Sequence, residues 1–258
     1  MKRSVLLAGN WKMNFGPKET AQFIETLSKE FGKKTSPSTM RLYVPYLDLQ
    51  TALATAKELQ LPIQMGAQNI HFEKSGAFTG EISASMLKEI GITQALVGHS
   101  ERRQYFGETN ETAMKRAASA LEQGLEVLAC IGETLNERNQ NQTEAVLRSQ
   151  LTPFLENATC AAALGERLHI AYEPVWAIGT GVTATPEQAE TAHAFIRSLL
   201  EQKLGAIAQK TKILYGGSVT PANFASLLNC PNIDGGLVGG ASLKPDSWLQ
   251  LWNLAQAN

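Results

Sequence analysis

The 258-residue chain has little cysteine, no long apolar run, and a net charge of only -1. Cys130, Cys160 and Cys230 are odd in number and widely spaced, with no C-x-x-C pair. That argues against a disulfide framework or a thiolate zinc site and fits a reducing compartment. No segment approaches the ~18 apolar residues of a membrane span. Lys2-Arg3 followed by Val5-Leu6-Leu7-Ala8 is too short for a secretory signal and runs straight into Gly9-Asn10-Trp11-Lys12. The balanced charge excludes a chain-wide attraction to nucleic acid or to an anionic membrane, so any anion site must be local. His71, His169 and His193 sit apart without H-E-x-x-H spacing, which leaves no visible metal-ligand cluster. No Gly/Ser/Pro-rich linker divides the sequence. The expectation is a cytoplasmic protein, residues 1–258 forming one domain, with no metal and no cofactor.

What is present is a repeating pattern. Short apolar runs rich in β-branched residues fall at 4–10, 40–44, 63–68, 94–98, 126–131, 168–173, 212–216 and 235–239. Amphipathic stretches separate them. In 17–31 the apolar stripe is Phe23, Ile24, Leu27 and Phe31. In 186–204 it is Ala189, Ala192, Phe195, Ile196, Leu199 and Leu200, introduced by Thr185 as N-cap, Pro186 at the first helical position and Gln188 placed to close a capping box. Thr220-Pro221 and Lys244-Pro245 mark two further helix starts.

Strand then helix along the whole chain argues for parallel pairing with right-handed crossovers. About eight strands is the number that closes an α/β (β/α)8 barrel, and the length is typical of one. A doubly wound open sheet is the rival architecture, because local pattern does not prove closure. Against it, no G-x-G-x-x-G follows a strand: Gly179-Thr180-Gly181 lacks the third glycine, and 235–240 has the wrong spacing.

In a parallel barrel, side chains at the C-terminal strand ends converge on one face. Asn10 and Lys12 follow the first strand, His99 follows the fourth, and Glu173 ends the sixth. Gly216-Gly217-Ser218 follows the seventh strand and Gly239-Gly240 the eighth. Taken singly, each has an ordinary structural reading: a solvated carboxylate, a core histidine, a surface lysine, two tight turns. Together they supply an acid/base group, an imidazole, an ammonium and two backbone-rich loops fit for a phosphate.

Six runs carry a closer likeness. They are Gly9-Asn10-Trp11-Lys12-Met13-Asn14; Val97-Gly98-His99-Ser100-Glu101-Arg102-Arg103; Cys130-Ile131-Gly132-Glu133-Thr134; the run 171–181 from Ala171 to Gly181; Tyr215-Gly216-Gly217-Ser218-Val219; and the run 234–243 from Asp234 to Leu243. In type and order the chain resembles the triosephosphate isomerases. The resemblance implies a TIM barrel that interconverts D-glyceraldehyde 3-phosphate and dihydroxyacetone phosphate, a reaction of glycolysis and gluconeogenesis. It implies Glu173 as base, His99 as neutral electrophile and Lys12 as fixed positive charge, with Asn10 supporting the substrate oxygen. Gly179, Ser218, Gly239 and Gly240 are expected to hold the phosphate, and 174–183 to be a mobile lid hinged at Pro174-Val175-Trp176 and Gly181-Val182-Thr183. Many members carry lysine where this chain has Val182.

The resemblance further implies a homodimer through the loop 69–83, with Thr79 near the neighbouring subunit's Asn10 and Lys12. Glu101 is expected to position Lys12, Cys130 to pack beneath the site, and Arg102 and Arg103 to be structural ion-pair partners. Two other readings remain: an aldose–ketose isomerase of amino-acid biosynthesis acting on a larger phosphate, and a barrel that binds a phosphometabolite without turnover.

Overall fold

A computed structural model describes residues 3–31, 38–179 and 183–258. Eight parallel strands close on themselves in chain order. They are β1 (Leu6–Asn10), β2 (Thr39–Val44), β3 (Ile63–Ala67), β4 (Gln94–Val97), β5 (Glu126–Ile131), β6 (Leu168–Tyr172), β7 (Ile213–Tyr215) and β8 (Gly235–Val238). Closure is explicit in the register, since Leu6 lies opposite both Thr39 of β2 and Gly235 of β8. The open sheet is thereby excluded.

Alternation by two along each strand divides the core. Leu6 and Ala8, with Tyr43, Leu96, Leu128, Cys130, Ala171, Leu214 and Leu237, fill the barrel interior. The intervening Leu7, with Met40, Leu42 and Val44, faces outward into the larger layer beneath the helices. That layer includes α1 (Pro17–Glu30), whose Phe23, Ile24 and Leu27 are buried. Phe31 caps α1 and stacks on Trp252 at 5.9 Å.

Local chemistry starts the helices where the sequence marks them. In α2 (Pro186–Leu204) the Gln188 amide donates to Thr185 Oγ1 at 3.2 Å, and the Thr185 amide donates back to Gln188 Oε1 at 3.0 Å. Phe195 is only half-buried, unlike the rest of its stripe, and lies under the Arg148 guanidinium at 5.4 Å. No helix among the described residues is long and apolar enough to cross a membrane.

Several strands stop one or two residues short of their apolar runs. Gly98 takes φ 72°, leaving the extended region, and Glu173 lies one residue beyond β6. The residues shed from the ladder at these ends turn toward the C-terminal mouth of the barrel.

Candidate active site

Glu173 stands at the mouth one residue beyond β6, its amide donating to the Ile131 carbonyl at the end of β5 at 2.8 Å. A Cβ on Gly132 would sit 1.7 Å from the Glu173 carbonyl oxygen, so only glycine permits the contact. His99 follows the left-handed Gly98 and serves as the N-cap of the helix Ser100–Phe106. Its Nδ1 accepts the Glu101 amide N–H at 3.2 Å, while Nε2 lies 2.9 Å from Glu173 Oε1. The other carboxylate oxygen, Oε2, accepts the Ser100 amide N–H at 2.9 Å. Both side chains are almost fully buried.

Burial pushes the Glu173 pKa up, but the facing His99, its hydrogen bond and the Ser100 amide prevail and hold the carboxyl below its ordinary range. For His99, burial pushes the pKa down, whereas the Glu173 carboxylate and its hydrogen bond raise it above the ordinary value. The geometry at Nδ1 limits how far that carries. A nitrogen accepting an amide N–H has no place for a proton, so the imidazole in this arrangement is neutral and donates from Nε2 to Glu173.

Lys12 follows β1 with φ 54°, a left-handed conformation that costs a non-glycine residue roughly 1–2 kcal/mol. Three bonds hold it there. Its amide donates to Asn10 Oδ1 at 3.0 Å, its carbonyl accepts Gln68 Nε2 at 2.8 Å, and its Nζ meets Glu101 Oε1 at 2.6 Å. Glu101 therefore positions Lys12 as the sequence suggests. Gln68, at the end of the third apolar run, escapes sequence reasoning because nothing in its spacing points at Lys12.

A cavity of about 400 Å³ gathers all eight expected site residues. Asn10, Lys12, His99 and Glu173 line it with Gly179, Ser218, Gly239 and Gly240. A larger cavity of about 890 Å³ lies against the outer side of the barrel and also touches Glu173. It lacks Lys12, His99 and the glycine turns, which only the smaller cavity brings together. Among the described residues no cluster of His, Cys, Asp and Glu could hold a metal ion.

Cys130 is fully buried in the barrel interior, where burial pushes its thiol well above the ordinary range and makes it a poor nucleophile. Arg102 pairs with the buried Glu108 at 2.9 Å, as expected. Among the described residues Arg103 does not form the expected ion pair. Its guanidinium donates to the carbonyls of Gly98 and Cys130 and to Asn110 Oδ1, bracing the backbone turn before His99. Glu108 reaches the same turn from the other side, accepting the Gly98 amide at 2.6 Å. No sequence motif announces that contact.

A triosephosphate isomerase family model matches residues 5–255. Curated relatives with that name include those of Acetivibrio thermocellus, 47% identical over 250 residues, and Alkaliphilus metalliredigens, 47% identical over 254 residues. The alignments cover 96% and 97% of this chain, and 97% and 99% of the respective relatives. A third, from Ruthia magnifica, is 45% identical over 249 residues, or 96% of this chain and 98% of the relative. The chain belongs to the triosephosphate isomerase family.

The segment after Glu173 begins with a short 3-10 turn, Val175–Ala177. The Trp176 indole N–H donates to the fully buried Glu133 at 2.9 Å, and the Tyr172 hydroxyl donates to the same carboxylate at 3.0 Å. Glu133 lies in one of the runs that mark this as a triosephosphate isomerase family member, yet its hold on Trp176 is invisible in sequence. Gly179 has φ 69° at the cavity edge. Thr180 and, of the far hinge, Gly181 and Val182 lie outside the described residues.

Proposed function

We propose that Glu173, His99 and Lys12 are the groups with which this triosephosphate isomerase interconverts D-glyceraldehyde 3-phosphate and dihydroxyacetone phosphate through an enediolate. One observation carries the reading: a carboxylate, an imidazole N–H donor and an ammonium face a single cavity bordered by glycine turns. Without substrate, His99 Nε2–H and the Ser100 amide hold the Glu173 carboxylate. A bound carbonyl oxygen takes the His99 proton donor, and the carboxylate loses its main stabilising contact. Burial then raises its basicity at the moment it faces the carbon-bound proton.

Glu173 removes that proton and returns it to the neighbouring carbon. Neutral His99 donates to the developing enediolate oxygen, and Lys12 supplies preorganised positive charge. The pairing of a glutamate base with a neutral imidazole is the known chemistry of the triosephosphate isomerases and comes to this chain by kinship. Asn10 supports the substrate oxygen, and backbone amides of Gly179, Ser218, Gly239 and Gly240 hold the phosphate. In support, Lys12 Cε lies 3.7 Å from where a Cβ on Gly239 would stand, so ammonium and cradle share one ligand. The described part of the segment after Glu173, residues 174–179, closes over this ligand and keeps water from the enediolate.

We assign the reaction to glycolysis and gluconeogenesis in the cytoplasm, and residues 1–258 to one domain. We further propose a homodimer through 69–83. Residues 73–80 are exposed, and Phe78 is 42% exposed with its ring tilted against His71 at 4.2 Å. A second cavity of about 220 Å³, lined by Lys12, Met13, Tyr46 and Phe106, offers a receptor for Thr79 of another subunit. Light scattering showing only monomer at micromolar concentration contradicts the dimer.

The catalytic reading is tested with Glu173→Asp in a coupled assay on glyceraldehyde 3-phosphate. A carboxylate set back by about one methylene should lower turnover by roughly 10²-fold or more while phosphoglycolate still binds. Near-normal turnover removes Glu173 from the role.

A further inference from the structure

Two residues of the segment that carries Lys12 have left-handed backbones, Lys12 at φ 54° and Phe15 at φ 69°. For a bulky aromatic residue this is an outlier. A glycine stands beside it, but Gly16 is extended at φ -137°, and the strained turn falls on Phe15 instead. Such a conformation persists only where surrounding contacts enforce it. The contacts are aromatic. Phe15 meets Trp11 edge-on, with ring centroids 4.9 Å apart at 89°, and both rings meet Phe23, at 6.0 and 4.9 Å.

Trp11 connects this cluster to the cavity. It is fully buried, and its indole N–H donates to the Ser242 carbonyl at 3.1 Å. Ser242, also fully buried, donates from its amide and its hydroxyl to the Gly239 carbonyl at 2.8 and 2.7 Å. Between Trp11 and Phe15 the segment has no apolar grip of its own: Met13 is 96% exposed, and Asn14 turns back to donate to the Trp11 carbonyl. The arch that presents the Lys12 ammonium is thus pinned at two aromatic feet, one of which also braces the turn at Gly239.

We propose that Phe15 is a positioning residue for the triose phosphate, its ring wedged against Trp11 so that Lys12 and the Gly239 turn keep a fixed separation. The inference rests on the catalytic reading above. Phe15 touches no reacting atom. Its strained backbone is the cost of placing the ring where a glycine would leave the arch loose.

The test compares wild type, Phe15→Gly, Phe15→Leu and Phe15→Tyr by steady-state kinetics on glyceraldehyde 3-phosphate, phosphoglycolate titration and thermal melting. Phe15→Gly removes both strain and ring. It should raise KM and the phosphoglycolate Kd together, by roughly tenfold, with kcat falling less. Phe15→Tyr, which keeps the edge-on ring, should restore wild-type values. A glycine variant with wild-type KM and Kd, or one that only melts earlier, overturns the proposal. If that variant does not fold, Phe15→Leu decides: a threefold or larger rise in KM and Kd supports the pin, and unchanged values overturn it. A wild-type protein that binds phosphoglycolate without turnover instead refutes the catalytic reading, and Kd alone then judges Phe15.

Discussion

The two ends of the same eight strands use charge in opposite ways. At the N-terminal end, Arg41 is buried and bonds Gln64 and Glu126, while Asp234 takes Arg197 at 2.6 Å, Arg3, and the Ile213 amide at 2.8 Å. His169 sits among them with its pKa pushed down to about 3 by burial, then by Arg41 and Lys212. At the C-terminal end, Lys12 and Glu101 are only partly buried, and Glu173 and His99 hydrogen-bond to one another in the wall of the cavity. One end locks its ions in mutual bonds that nothing needs to break. The other keeps its ions in contacts that a ligand can take over, on a backbone held in a strained conformation at Lys12. The difference separates residues whose loss should cost stability from residues whose loss should cost turnover.

The largest effects should fall on opposite observables. His99→Ala should lower kcat/KM by about 10²–10⁴-fold in a coupled assay, the usual range for a lost acid/base or oxyanion donor. Its melting temperature should change little by comparison. At the other end, Asp234→Ala strands a buried Arg197 and frees the Ile213 amide. That should cost about 3–5 kcal/mol in urea unfolding, with kcat per folded molecule unchanged. Should Asp234→Ala cost turnover without stability, the division between the two ends fails.

A smaller effect should appear with pH. His169 has a folded pKa near 3 against an ordinary 6.5, so below pH 6.5 the unfolded chain binds the proton that the folded chain refuses. Its contribution is therefore full above pH 6.5 and is lost as pH falls toward 3, by about 1.4 kcal/mol per pH unit. Urea midpoints measured from pH 7 to pH 5 should fall less steeply in His169→Gln than in wild type. Identical slopes would show that this end does not exclude protons.

Much of this division is legible in the sequence, for physical reasons. Parallel strands covered on both faces read as short apolar runs, and all eight can be placed. The runs overshoot the ladder by a residue or two because Gly98 and Glu173 are apolar-run neighbours that the ladder sheds. The groups lining the cavity stand out by type and by place after a strand. Their supports do not. Ser100 reaches Glu173 across 73 positions with a backbone N–H that any residue would supply. Gln68, Glu108 and Glu133 act across gaps in sequence that no motif spans. Arg103 reads as an ion-pair partner, since an arginine in sequence advertises its charge and not the carbonyls it braces. Phe15 gives no signal, because left-handed strain belongs to φ and not to residue type.

The most direct test is solvent-isotope exchange into dihydroxyacetone phosphate in deuterated water, comparing wild type with Glu173→Gln. The wild-type protein should place deuterium on the reacting carbon at a rate comparable with turnover, and the glutamine variant should bind the ketose yet exchange at least about 10²-fold more slowly. Exchange at the wild-type rate in the variant would show that the carboxylate between His99 and Ser100 is not the base.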